Sequence, residues 1–296
     1  MEIHTLDLNY QNVPQTIAAY LVVGSEGPVL VETGPGSTLK NLLDQLAYYG
    51  VQPADIKHVL VTHIHLDHSG ASGWWGQQGA QIFVHPIGAP HLIDPSKLLT
   101  SAARIYGDKM DKLWGETIAA PAERVTAVAD NGTVEVAGLT FTALHTPGHA
   151  SHHHVYRLHD IGFVGDAGGI HLPGMALADL PAPPPEFHLE MWETTIDRLL
   201  AENFQAIYLG HFGVVENVQD YLSALKKLMR ESAVFVREQL EAGLEQDDVI
   251  TSYENWNQAR ARQLGVSDEV IYQYKTANPW YMSVLGMMRY WRKIGR

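Results

Sequence analysis

The chain has 296 residues, enough for one large domain or two modest ones, and 46% of them are hydrophobic, an ordinary globular fraction. Its 33 acidic and 20 basic residues give a formal charge of −13, which repels phosphate backbones and anionic lipid and argues against nucleic acid as a partner. Cysteine is absent, so disulfides, a thiol nucleophile and thiolate metal ligation are all excluded.

The N-terminal MEIHTLDLNY is polar and acidic, without the basic-then-apolar layout of a signal peptide. No run of eighteen apolar residues appears, so no membrane partner is expected, and a cytoplasmic location fits best. Short apolar, β-branched runs predict strands at 18–23, 28–33 and 58–63. A helix is expected over 37–49, with Ser37 as N-cap and Gly50 beyond its end. A strand at 81–85 follows, then a loop stretch at 86–125 that, like 167–190, has no readable motif and is expected to carry specificity. A hairpin over 133–145 turns at Gly138, and strands at 153–158 and 161–166 come next. Pro181-Ala-Pro-Pro-Pro185 suits neither helix nor central strand and reads as a rigid connector. It leads into a helix at 188–202 and a strand at 206–210. Helices are expected at 216–243 and 253–263. Strands alternate with helices early and pair in hairpins later, which predicts an α/β protein with partly antiparallel sheets. The division is a catalytic domain over 1–216 and a helical extension over 217–296 packed on it. The tail aromatics Trp280, Tyr281, Tyr290 and Trp291 read as core or as an interface, in which case a homodimer.

The chemistry concentrates in residues 61–70, VTHIHLDHSG. His63, His65, Asp67 and His68 sit where a buried strand gives way to a turn, and open α/β sheets bind ligands at such carboxyl ends. Four groups are too many for one catalytic ion that must also hold water, so they divide between two ions. Further ligands stand at later strand ends: His149 in HTPGH, Asp166 ending IGFVGD, and His211 ending AIYLGH. One ion then takes His63, His65 and His149, the other takes Asp67, His68 and His211, and Asp166 bridges them. Asp67 and Asp166 are the expected catalytic carboxylates. Zinc is the first choice of divalent metal, with iron or manganese equally suited to histidine and carboxylate.

Together THIHLDHSG, TPGH, GD and the late GH resemble the metallo-β-lactamase superfamily over about residues 15–215, and more its glyoxalase-II-like or lactonase-like branch than the antibiotic-degrading one. The resemblance implies a four-layer αβ/βα sandwich with a di-metal site at one edge. It implies a hydrolase of an ester-like bond (lactone, thioester, carboxylic or phosphate ester) in a small-molecule substrate. The alternative within the same family is iron-dependent redox chemistry of the persulfide dioxygenase type. The family's first motif carries an aspartate that orients a metal-bound histidine; this chain has Glu32 there. Gly34 and Gly36 are expected to let that turn pass close to the metals. His152, His153 and His154 read as structural or pocket-lining, His171 as a leaving-group acid worth testing, and Trp74 and Trp75 as helix packing.

Overall fold

The computed structural model describes residues 1–295. β1 (Glu2–Asp7), β2 (Ala18–Gly24) and β3 (Gly27–Val31) form an antiparallel meander. α1 (Leu39–Tyr48) crosses over to β4 (His58–Leu60), which lies parallel to β3. Two short helices, α2 (Leu66–Ser69) and α3 (Ser72–Gln77), lead to β5 (Gln81–Val84), parallel to β4. Helices α4 (Ala89–Ile93), α5 (Ser96–Tyr106) and α6 (Met110–Trp114) occupy the next crossover, and β6 (Val125–Ala127) completes a sheet of order β1-β2-β3-β4-β5-β6.

The second sheet begins with an antiparallel run of β7 (Thr133–Val136), β8 (Leu139–His145), β9 (His154–Leu158) and β10 (Ile161–Ile170). The β7–β8 turn holds Ala137 and Gly138 at φ 53° and 72°, the left-handed conformation of a tight hairpin. α7 (Leu189–Ala201) crosses to β11 (Ala206–His211), parallel to β10, and β12 (Val214–Val215) folds back on β11. The order is β12-β11-β10-β9-β8-β7. α8 (Val218–Glu241), α9 (Gln246–Gln263), α10 (Asp268–Ala277) and α11 (Trp280–Lys293) follow.

The period of two along β2 sets the layers. Ala18, Tyr20 and Val22 join Phe141, Tyr156 and Phe163 between the sheets, while Ala19 and Leu21 face Leu42 and Leu46 of α1 and Trp75 of α3. Tyr20 ties the sheets together: its ring lies 5.5 Å from that of Phe163, and its hydroxyl donates to Leu209 O at 2.5 Å. α7 and α8 cover the far side of the second sheet, with Trp192, Ile196, Leu222 and Met229 buried. The result is the expected four-layer αβ/βα sandwich followed by C-terminal helices. α11 lies against α8 and α9, and Trp291 Nε1 donates to Ala233 O at 2.8 Å.

The differences from the sequence reading are local. β1 is an edge strand whose outward residues are polar, so it lacks an apolar run; β6 and β12 are also edge strands, three and two residues long. The stretch 86–125 contains three helices, two of them of five residues, too short to show periodicity. β10 continues four residues past Asp166. No helix among the described residues is long and apolar enough to cross a membrane.

Candidate metal centre

The loop leaving β4 is fixed before it reaches any ligand. Thr33 and Gly34 N–H both donate to His68 O, at 2.8 and 3.1 Å, so the β3 turn grips α2 directly. Gly34 brings this turn against His68, as expected, and a Cβ there would run into Leu8 and Thr38, while Gly36 lies against the backbone of Glu116. A further close approach falls at Gly210, where a Cβ would lie 2.4 Å from His68 Cε1. Asp166 is aimed by a register break in β10, where Gly165 takes φ 46° between Phe163 and the rest of the β11 pairing.

All seven sequence-predicted residues converge into two groups of donors. In the first, His149 Nε2 lies 3.2 Å from His63 Nε2, 2.9 Å from His65 Nδ1 and 3.3 Å from Asp166 Oδ2. In the second, His68 Nε2 and His211 Nε2 lie 3.1 and 3.4 Å from Asp166 Oδ1, and His211 Nε2 lies 3.4 Å from Asp67 Oδ2. Tetrahedral coordination with bonds of about 2.1 Å separates ligand atoms by about 3.4 Å, so both groups have the size of a metal coordination shell.

Hydrogen bonds decide which nitrogen is free on three of the rings. His149 Nδ1–H donates to Pro181 O at 2.8 Å and His211 Nδ1–H to Thr16 O at 2.7 Å, leaving both Nε2 lone pairs facing the centre. His63 Nδ1 meets Thr62 Oγ1 at 3.0 Å, and that hydroxyl donates to Glu32 Oε1 at 2.5 Å. Glu32 Oε1 is also 3.4 Å from His68 Nδ1. One buried carboxylate therefore stands behind two of the ring ligands, and the extra methylene relative to aspartate is accommodated.

The electrostatics fit a cation. Burial and the surrounding imidazoles push His63 well below its ordinary pKa and His65 down to about 3; burial also lowers His149, against the pull of Asp166. These rings are neutral at pH 7, the form that binds metal. For His68 and His211 burial also opposes charge, but Asp166 and Asp67 outweigh it and raise both. Asp67, despite burial, is held down to about 2 by His68 and His211. His68 Nε2 and Asp166 Oδ1 are fully buried and make no hydrogen bond of proper geometry. Polar atoms so placed destabilise a fold unless something binds them, and two divalent ions would bind these.

The other histidines separate. His152 reaches the cavity edge and pairs with Glu186 at 3.0 Å, a carboxylate that also accepts from Ser151 Oγ at 2.8 Å. His153 sits behind His63, its Nδ1 2.8 Å from Thr146 Oγ1. His154 is buried toward His85, away from the centre. His171 is no leaving-group acid: it packs against Tyr221 at 5.1 Å, its Nδ1 is 3.2 Å from Leu177 O, and it does not line the cavity. Trp75 is core, as expected.

A cavity of about 590 Å³ opens onto His65, Asp67, His149, Asp166 and His211. The stretches 86–125 and 167–190, where specificity is expected, supply much of its wall, and the part played by the C-terminal helices is what the sequence did not reveal. α5 and α6 supply one side, with Tyr106 and Trp114, and the C-terminal helices supply the other, with Tyr281 and Met282. Of the tail aromatics, Trp280, Tyr290 and Trp291 are core as expected, while Tyr281 borders the site. Glu186 and the carbonyls of Pro181 and Thr16 were also missed; a backbone partner has no side-chain signature to read.

A family model described as the metallo-beta-lactamase superfamily matches residues 13–211. A metallo-beta-lactamase fold-containing protein of Sulfurisphaera tokodaii is 24% identical over 219 residues, 72% of this chain and 79% of that protein. An atrochrysone carboxyl ACP thioesterase of Aspergillus fumigatus is 28% identical over 149 residues, 50% of this chain and 28% of that protein. Among solved structures, a metallo-beta-lactamase family protein of Thermus thermophilus superposes with a TM-score of 0.69 at 22% identity, covering 99% of this chain and 94% of that one. The shared fold thus extends through the C-terminal helices.

Proposed function

The chain belongs to the metallo-β-lactamase superfamily, and from that premise we propose that it is a hydrolase working with two divalent ions, zinc first, on an ester-like bond of a small molecule. The observation that carries this reading is the placement of Asp166, which gives Oδ2 to the His63, His65, His149 group and Oδ1 to the His68, His211 group. Ions held by these two donor groups would supply Lewis acidity toward a carbonyl or phosphoryl oxygen and would lower the pKa of water to near neutrality.

The residues of the chain do the rest. Asp67 and Asp166 offset part of the cationic charge, leaving the pocket positive toward a substrate that becomes anionic in the transition state. Asp67 is the ligand carboxylate most open to the cavity, at 20% side-chain exposure against 3% for Asp166. It is the group placed to take a proton from attacking water and pass it to the leaving group. Glu32 through Thr62, Pro181 O and Thr16 O hold three imidazoles in the tautomer that binds metal.

The fungal relative's name supports thioesters as one bond class to test. Two complete donor groups favour the two-ion hydrolase over one-iron persulfide oxidation. The test is elemental analysis joined to a panel of lactones, thioesters, phosphodiesters and phosphotriesters. Metal-dependent turnover of one class is expected. Undiminished turnover by metal-free protein would contradict the proposal, and oxygen uptake with glutathione persulfide would replace it with the redox reading.

A further inference from the structure

Three tyrosines from separate parts of the chain line the cavity. Tyr10 lies in the turn between β1 and β2, Tyr106 ends α5, and Tyr281 is the second residue of α11. Two of the rings pack on Trp114: Tyr10 stacks on it at 5.8 Å, and Tyr106 meets it edge to face at 5.0 Å. None of the three hydroxyls makes a hydrogen bond among the described residues. By contrast Tyr20, Tyr156, Tyr221 and Tyr274 each donate to a backbone carbonyl oxygen of the fold. Tyr10 is only 4% exposed, so its hydroxyl finds a partner in the cavity it lines or nowhere. The phenols are also close enough to act on one another. Burial and then Asp67 raise the pKa of Tyr10 and of Tyr106, Tyr281 adds to both shifts, and burial raises Tyr281 itself. All three are therefore neutral O–H donors at pH 7, gathered on the side of the cavity near Asp67.

Donors without a partner in the fold set a condition on the ligand. Water solvates these hydroxyls until a ligand enters. A body that is apolar throughout strips that water and returns no acceptor, whereas a ligand with an oxygen at this point replaces the lost hydrogen bonds. A site built to hydrogen-bond one group discriminates strongly against the analogue that lacks it. The chain sets no net charge on the group. Lys97, Lys109 and Lys112 at the rim are exposed and interleaved with Asp94, Asp108 and Asp111, and Glu186 is already bound by His152 and Ser151. The matching group is thus an uncharged oxygen acceptor. Trp114, Ile17 and Met282 offer apolar wall to the body that carries it, and a volume of about 590 Å³ suits a drug-sized molecule.

We propose that Tyr10, Tyr106 and Tyr281 form a subsite for a neutral oxygen acceptor, a carbonyl or hydroxyl carried on the aryl or acyl body of the substrate apart from the bond that is cleaved. This deepens the hydrolase reading and rests on it for the identity of the scissile bond. Recognition of the oxygen does not depend on cleavage and is measured without turnover.

The test uses two neutral fluorescent probes that no hydrolase cleaves: 2-acetyl-6-(dimethylamino)naphthalene and its 2-ethyl analogue. They share one aryl body and differ by a carbonyl oxygen, and hydrogen bonding to that oxygen moves the emission of the ketone to the red. Affinities are measured on the metal-loaded full chain and on Tyr10→Phe, Tyr106→Phe and Tyr281→Phe, singly and together. The triple variant should bind the ketone about tenfold more weakly, with bluer emission, and the ethyl analogue at least as tightly as the parent does. At least one single variant should show part of that loss. Because the hydroxyls have no partner in the fold, the variants should melt no lower than the parent. Equal changes for the two probes, an unchanged ketone affinity in the triple variant, or a fall of several degrees in melting temperature would overturn the proposal. The two readings fail separately. A chain that discriminates between the probes as expected yet turns over no ester would end the hydrolase reading and leave the phenolic subsite standing. Turnover of an ester with no discrimination between the probes would do the reverse.

Discussion

Four of the five donor rings have an oxygen behind them, from Thr62 at His63, Glu32 at His68, Pro181 at His149 and Thr16 at His211, and those atoms give the sharpest residue-level predictions. Glu32 lies 2.5 Å from Thr62 Oγ1 and 3.4 Å from His68 Nδ1, so Glu32→Ala frees two imidazoles at once. Metal affinity should drop about 10–100-fold, measured by competition with a chelating dye. His63→Ala removes a donor from one group and leaves the other intact, so zinc content should fall from two per chain toward one; Asp166→Ala should strip both. The residues of the two donor groups were legible because histidine and aspartate at strand ends have few structural reasons to recur in that order. Thr62, Pro181 and Thr16 were not legible, because a hydroxyl or carbonyl that orients a ring does so by position alone.

At the scale of elements, the C-terminal helices prove to be part of the site. Asn278 Nδ2 and Trp280 Nε1 both donate to Asp179 Oδ2 at 3.0 Å, and Ser283 Oγ donates to Leu180 O at 2.7 Å. These bonds fix the segment whose Pro181 carbonyl holds His149. Gly286 of α11 packs so closely on this segment that a Cβ would lie 1.9 Å from Ala182 O. Gly286→Ala should cost about 1–3 kcal/mol of stability and loosen zinc at the His149 group, read by a thermal melt and by metal content. Asp179 adds a pH signature. Burial raises its pKa above 3.8 despite the donors around it, so its contribution is present at acid pH and lost as pH rises through the raised value. Asp179→Asn keeps an acceptor for Trp280 and removes the buried charge. The melting temperature of the variant relative to the parent should therefore rise from pH 4 to pH 8. The long helices and the β-branched strands were readable from periodicity. The helices of 86–125 and the edge strands were not, because short elements show too few repeats, and an edge exposes polar residues where a core strand would not. The tail's aromatic content suggested core; that Tyr281 faces the cavity follows from how α11 is turned, which composition does not encode.

For the molecule as a whole, the two sheets contribute different halves of one centre. His63, His65, Asp67 and His68 leave the first sheet, while His149, Asp166 and His211 come from the second. Metal bound across that seam ties the sheets together, so a chelator should lower the melting temperature as well as abolish turnover. At a free metal concentration of 100 times Kd the linkage contributes about 2.7 kcal/mol, which zinc should restore. The most direct measurement is anomalous diffraction at the zinc edge from crystals of the zinc-loaded chain. Two peaks are expected, one bounded by His63, His65 and His149, the other by Asp67, His68 and His211, with Asp166 between them. A single peak, or peaks away from these donors, would contradict it.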